Sequence, residues 1–153
     1  LTFADLLSLM ITVSDNTATN LVIEVTEHQL VDDYAALARE IEALKPFAKI
    51  AIDDVGTGYA GLRHLIELGP DILKMDMVLT RDCDNDPARR AIAAAMVQFS
   101  RDIGAKLGAE GIETEAERAV MQDLGVDYGQ GYLFARPLPV VAAQQHLLGV
   151  AMG

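Results

Sequence analysis

Apolar residues along the chain fall into two alternating patterns. Short aliphatic and β-branched runs read as strands at LVIEV (21–25), KIAIDDV (49–55), DILKMD (71–76) and AKLGAE (105–110), with a last strand-and-loop segment in VDYGQGYLF (126–134). Between them the spacing turns helical. Leu30, Tyr34, Leu37, Ile41 and Leu44 recur on one face of 29–44, which Lys45-Pro46 stops, and Leu62, Leu65 and Ile66 mark a helix over 59–68. A helix over 87–103 starts with Asp86 as N-cap and Pro87 at its first position. Thr114 and Glu117 spell a capping box for a helix that closes near Gly125, and 138–150 predicts a final helix of low polarity. At the other end, residues 1–13 carry Leu6, Leu7, Leu9, Met10, Ile11 and Val13 and predict an apolar helix or core segment, with SDNTATN (14–20) as a loop. Strands alternating with helices imply parallel βαβ units, an α/β fold class.

The size suits one domain: 153 residues, 51% of them hydrophobic and 23% charged. Twelve Lys and Arg against 23 Asp and Glu leave a formal net charge of −11, which repels polyanions and argues against a DNA or RNA polymer as partner. A small anionic ligand stays possible where cations offset the carboxylates. The single Cys83 excludes an internal disulfide and fits a reducing, cytoplasmic setting. No apolar stretch approaches the ~20 residues of a membrane span, and no signal-peptide pattern opens the chain, so no membrane contact is expected from this segment. The first residue is Leu1, as in a piece of a longer protein.

Polar residues with chemical potential sit where the strand runs end. Glu24 follows Leu21-Val22-Ile23, Asp53 and Asp54 follow Ile50-Ala51-Ile52, Lys74 and Asp76 follow Ile72-Leu73, Glu110 follows Leu107-Gly108-Ala109, and Gln130 follows the last strand. One strand-end carboxylate is ordinarily a helix cap or a solvated loop residue. Several in succession share one rim of the sheet, the rim where parallel α/β proteins bind ligands. Converging carboxylates repel unless cations hold them, and oxygen ligands of this type favour Mg2+ or Mn2+. Metals sharing an Asp can activate water for phosphodiester hydrolysis, and Lys74 adds a fixed positive charge.

The motifs LVIEVTE (21–27), IDDVGTGYAGLRHL (52–65), DILKMD (71–76), GAEGIET (108–114) and GQGYLFARPLP (129–139), in this order, resemble the EAL family of bacterial cyclic di-GMP phosphodiesterases. The resemblance implies a TIM-barrel-like (β/α) EAL fold, incomplete at its N-terminus, and metal-dependent hydrolysis of cyclic di-GMP to the linear dinucleotide pGpG with Mg2+ or Mn2+. It implies that Glu24, Asp53, Asp54 and Glu110 hold metal, that Lys74 orients the attacking water, and that Glu110 and Gln130 stand at the reaction. It implies supporting roles for Asp76 and Glu113, and an anchoring role for Glu27 toward the loop 54–61. It further implies a homodimer and a parent protein with a sensor or GGDEF-type domain. The strand-borne Glu-Ala-Leu that names the family and an Asn ligand on the second strand are absent, Val55 replaces a Phe, and Met77 stands where Arg is common. The alternative to the enzyme is therefore a catalytically inactive cyclic di-GMP receptor or protein-interaction domain. On these motifs the chain divides into an N-terminal helical segment, 1–20, and a partial EAL domain, 21–153.

Other signals compete less well. Residues 1–20 also resemble the Ser-Asp-Asn segment of class A β-lactamases, with Ser14 and Asn16 in the matching places, but neither Ser-x-x-Lys nor Lys-Thr-Gly occurs. Gly56, Gly58 and Gly61 imitate a dinucleotide fingerprint, yet Asp53 and Asp54 beside it would repel a pyrophosphate. Asp82, Asp84 and Asp86 begin like a calcium loop, with Pro87 where the turn glycine belongs. His28, His64 and His146 share no metal spacing, Met75 and Met77 read as packing residues, and Cys83 sits in an acidic loop that does not favour a reactive thiol.

Overall fold

The structure, a computed structural model, describes residues 12–15, 21–26, 34–56 and 62–136. Six strands form one sheet in sequence order: β1 (Thr12–Asp15), β2 (Leu21–Thr26), β3 (Ala48–Val55), β4 (Ile72–Met75), β5 (Lys106–Ala109) and β6 (Tyr128–Gly129). Helices α1 (Tyr34–Leu44), α2 (Leu62–Leu68), α4 (Pro87–Asp102) and α5 (Glu115–Leu124) lie between successive strands, and a four-residue helix α3 (Met77–Thr80) precedes α4. From β2 to β6 all pairings are parallel, as the alternation predicts.

The helix ends follow their sequence signals. Asp86 Oδ1 accepts from the Ala88 and Arg89 amides at the start of α4. Thr114 and Glu117 close a reciprocal capping box on α5, and Gly125 ends that helix at φ +85°, a left-handed conformation that glycine adopts without steric cost. Alternate strand residues Ile23, Val25, Ile50, Ile52, Leu73, Met75, Leu107 and Ala109 are buried in one core with Leu37, Ile41, Leu65, Ala93, Met96 and Val97 from the helices. The intervening positions Glu24, Asp53 and Lys74 belong to the other face of the sheet.

The N-terminal reading needs correction. Thr12 and Val13 do not end a helix, and Ser14 and Asp15 are not loop; together they form β1, antiparallel to β2, with Thr12 opposite Glu24 and Asp15 opposite Leu21. β-Branched residues such as Thr12 and Val13 favour strands, and five residues separate β1 from β2 in the sequence. The last expected strand shrinks to Tyr128–Gly129, because turns take over from Gly131. The expected helix over 138–150, Glu27, His28 and His146 lie outside the described residues. No helix among the described residues is long and apolar enough to cross a membrane.

Candidate functional site: an acidic rim around Lys74

Parallel pairing sets the carboxyl ends of β2 to β5 side by side, and the polar strand-end residues meet there. Lys74 is the centre. Its Nζ lies 2.7 Å from Glu110 Oε1, 3.0 Å from Asp53 Oδ1 and 3.4 Å from Glu24 Oε1. All four side chains are between 15% and 19% exposed, so the charges face one another across a partly desolvated space. Burial works against the charged Lys74, yet its bonds to Glu110 and Asp53 outweigh that and hold the ammonium above the ordinary lysine range. Glu110 is displaced the other way. Burial, reinforced by the charges of Asp53 and Asp54, raises its pKa above the ordinary value, although Lys74 pulls against this.

A local backbone irregularity doubles the carboxylates at β3. The β3–β4 register shifts between Ile52 and Val55, and Asp54 takes φ +59°. A bulge of this kind turns consecutive side chains that would otherwise point to opposite faces. Here one oxygen each from Asp53, Asp54 and Glu110 lie within 4.8 Å of one another. The Asp54 amide donates to Asp53 Oδ1 at 3.1 Å and fixes that carboxylate. Gln130 Nε2 donates to Glu110 Oε1 from the loop after β6. Lys74, Asp53, Glu110, Glu24, Asp54 and Gln130 are thus brought together as the strand pattern suggests. Glu24 joins through Lys74 rather than through the three-carboxylate cluster.

Beside this rim opens a recess of about 310 Å3, lined by Asp54, Asp76, Met77, Arg81, Glu110, Glu113, Gln130 and Tyr132, with Gly111 and Gly131 in its wall. Asp76 caps α3, accepting from the Val78 amide at 2.7 Å. Glu113 pairs with Arg81. Met77 is exposed in the recess and not a packing residue, unlike Met75, which is fully buried. Cys83 is buried, and burial raises its thiol pKa, in keeping with an unreactive thiol.

Three features escape the sequence pattern. Arg81 and Tyr132 carry no strand-end signature, and Glu117 does more than cap: its carboxylate also accepts the Asp82 amide at 3.0 Å and the Glu113 amide at 2.8 Å. The letters that name the family do occur, as Glu42-Ala43-Leu44, but they close α1, where Glu42 pairs with Lys45 at 2.7 Å. The end of α1 leads into the amino end of β3, the rim opposite the acidic cluster.

Comparison with known proteins gives the family and the fold. The EAL domain family matches residues 2–137, and the chain belongs to that family. The probable cyclic di-GMP phosphodiesterase PdeA of Escherichia coli K12 is 36% identical over 120 residues, which are 78% of this chain and 16% of PdeA. Among solved structures, the c-di-GMP-bound form of a standalone versatile EAL protein from Vibrio cholerae O395 superposes with a TM-score of 0.72 at 37% identity, over 76% of this chain and 49% of that one. The manganese/cy-diGMP complex of Klebsiella pneumoniae BlrP1 gives 0.70 at 38% identity, over 76% of this chain and 30% of that one. The fold is therefore the TIM-barrel-like EAL fold, and the chain spans about half the length of the Vibrio protein and about a sixth of PdeA.

Proposed function

We propose that the chain is part of a metal-dependent phosphodiesterase domain that opens cyclic di-GMP to the linear dinucleotide pGpG. The observation that carries this reading is the Asp53, Asp54 and Glu110 cluster set against Lys74 on the rim of an EAL-family sheet. The proteins it is similar to include the probable cyclic di-GMP phosphodiesterase PdeA and BlrP1 in a manganese complex with that dinucleotide.

The donor set fits Mg2+ or Mn2+: carboxylate oxygens close enough to share an ion, partly exposed so that water can fill further positions. Asp53, Asp54 and Glu110 would hold the metal, with Glu24 adjoining. Bound there, a divalent ion supplies a water of lowered pKa and charge neutralisation at a phosphoryl oxygen. The chain's own residues do the rest. Lys74 keeps its proton and presents a cation to a phosphate oxygen or to the attacking water. As the water's oxygen bonds to phosphorus and one ring P–O ester bond breaks, the proton the water loses is balanced by the proton that the departing sugar oxygen takes up, with Glu110 beside the water as one of the carboxylates that would hold the ion. Gln130 holds Glu110 in place.

An attached sensor or GGDEF-type domain belongs to the same proposal, supported by relatives much longer than this chain, and so does a homodimer, which rests on the family resemblance alone. A cytoplasmic setting is inferred from the second-messenger substrate and the lone buried thiol of Cys83. The test is 31P NMR of cyclic di-GMP with the protein and Mg2+. The reading expects one diester signal to give way to a monoester and a diester, stopped by a chelator. Unchanged substrate at high protein concentration would refute it and favour a receptor.

A further inference from the structure

We propose that Asp71 and Asp127 are positioning residues: they lock strand register at the amino edge of the sheet and so align the side chains of the acidic rim at its other end. The inference rests on the phosphodiesterase reading above and names what aligns that site. The sheet contains a repeat. The units β3–α2–β4 and β5–α5–β6 follow one plan. Ala-Lys stands at the start of each first strand, at 48–49 and 105–106, and Leu-Gly-x-Asp joins each helix to the second strand, at 68–71 and 124–127. Gly69 and Gly125 share positive φ, +55° and +85°. Strand pairing matches too, with Ala51 opposite Ile72 and Gly108 opposite Tyr128.

Each unit carries the same clamp. Asp71 Oδ2 accepts the Ile50 amide at 2.8 Å, and the Asp71 amide donates to the Ile50 carbonyl at 2.9 Å. Asp127 Oδ2 accepts the Leu107 amide at 3.0 Å, and the Asp127 amide donates to the Leu107 carbonyl at 2.9 Å. Ile50 and Leu107 are fully buried, so their amides are costly to leave unpaired. The Asp71 carbonyl also accepts the Lys106 amide at 2.9 Å, which joins the first unit to the second.

The rim lies three residues beyond every clamped position. Asp53 follows Ile50 at that spacing and Lys74 follows Asp71, while Glu110 follows Leu107 and Gln130 follows Asp127. In each unit a donor from the second segment meets the carboxylate of the first: Lys74 Nζ lies 3.0 Å from Asp53 Oδ1, and Gln130 Nε2 donates to Glu110 Oε1. Contacts that close require one register. A one-residue slip turns a strand's side chains to the opposite face, and a two-residue slip displaces them by about 7 Å. Parallel neighbours have no tight turn between them to fix the register. A carboxylate that bonds the adjacent strand just before the ladder begins supplies that constraint in both units.

The test compares Asp71→Ala, Asp71→Asn and Asp127→Ala with Asp86→Ala, which destabilises by removing the α4 cap and leaves these strands alone. Mn2+ affinity, by electron paramagnetic resonance, and turnover of cyclic di-GMP are read where circular dichroism shows each variant folded. The clamp predicts that both Asp71→Ala and Asp127→Ala weaken Mn2+ binding and turnover at least about tenfold. Asp71→Asn keeps an acceptor oxygen and should recover most of that loss, and Asp86→Ala should match the parent. Parent affinity in both clamp variants truncated to Ala overturns the clamp, as does a loss that Asp71→Asn fails to recover or that Asp86→Ala shares. A parent that takes up Mn2+ but leaves cyclic di-GMP intact refutes the phosphodiesterase reading alone, and Mn2+ affinity then decides the clamp. A parent without saturable Mn2+ uptake overturns both.

Discussion

Replacing Lys74 by Met removes the one cation that, among the described residues, faces Glu24, Asp53 and Glu110, at 3.4, 3.0 and 2.7 Å. Stripping one partner from a buried ion pair costs roughly 3–5 kcal/mol, because the charges left behind stay desolvated. The carboxylates here keep 17–19% exposure, which moves the expectation to about 2–4 kcal/mol at pH 7. The pH dependence has a definite sign. Glu110 already titrates above the ordinary glutamate value with Lys74 present, since burial and the neighbouring Asp53 and Asp54 favour its neutral form. Without Lys74 it rises further, and protonation relieves the repulsion. The loss should therefore shrink as the pH falls from 7 toward 5. Mn2+ should raise the variant's melting temperature more than the parent's, by returning positive charge to the same oxygens. Urea unfolding at both pH values, with a thermal shift titration in Mn2+, reads all three effects. A loss below about 1 kcal/mol that ignores pH would refute the claim that Lys74 holds a desolvated carboxylate cluster together.

Asp53→Asn and Glu110→Ala should each abolish turnover of cyclic di-GMP with the circular dichroism spectrum unchanged, since both side chains face the rim and not the core; turnover at the parent rate would remove them from the site. Glu117 is held below its ordinary pKa of 4.5, because amides from Glu113, Asp82 and Thr114 outweigh the cost of burial. Its contribution is complete above that value and lost as the pH falls through the lower folded pKa, so the stability gap between the parent and Glu117→Gln should narrow below about pH 4.5, which acid-range urea melts can check. Gly131→Ala should cost at least about 2 kcal/mol in a urea melt, because φ is +156° and a Cβ there would run into the Ile112 main chain. An Ala variant as stable as the parent would contradict that packing.

The rim was legible because parallel strands translate a linear rule into space. An apolar run ending in Glu24, Asp53-Asp54, Lys74 or Glu110 must deliver that side chain to the carboxyl edge, whatever lies between. Helix punctuation was equally local: Asp86-Pro87 and Thr114 to Glu117 act within one turn. What stayed hidden depends on longer reach. The Met77–Thr80 helix is four apolar or neutral residues, too few to show a helical repeat, and Asp76 caps it. Arg81 reaches the recess only through that helix. Glu117 is recognisable as a cap, but its bond to the Asp82 amide spans 35 residues. Asp54 at positive φ is a backbone choice that its side chain does not announce, although Asp tolerates it better than most residues. β1 was misread because the apolar run before it favoured a helix, whereas pairing with β2 decides the conformation of Thr12 and Val13.

The most direct test of the account is a Mn2+ titration followed by electron paramagnetic resonance, run on the parent and on Asp53→Asn. A protein of net charge −11 binds some cations anywhere on its surface, so the comparison between the two proteins is the measurement. The account predicts saturable loss of the free Mn2+ signal with the parent and only weak, unsaturated loss with the variant. Equal, saturable uptake by both would place the metal elsewhere and contradict the assignment of the acidic rim.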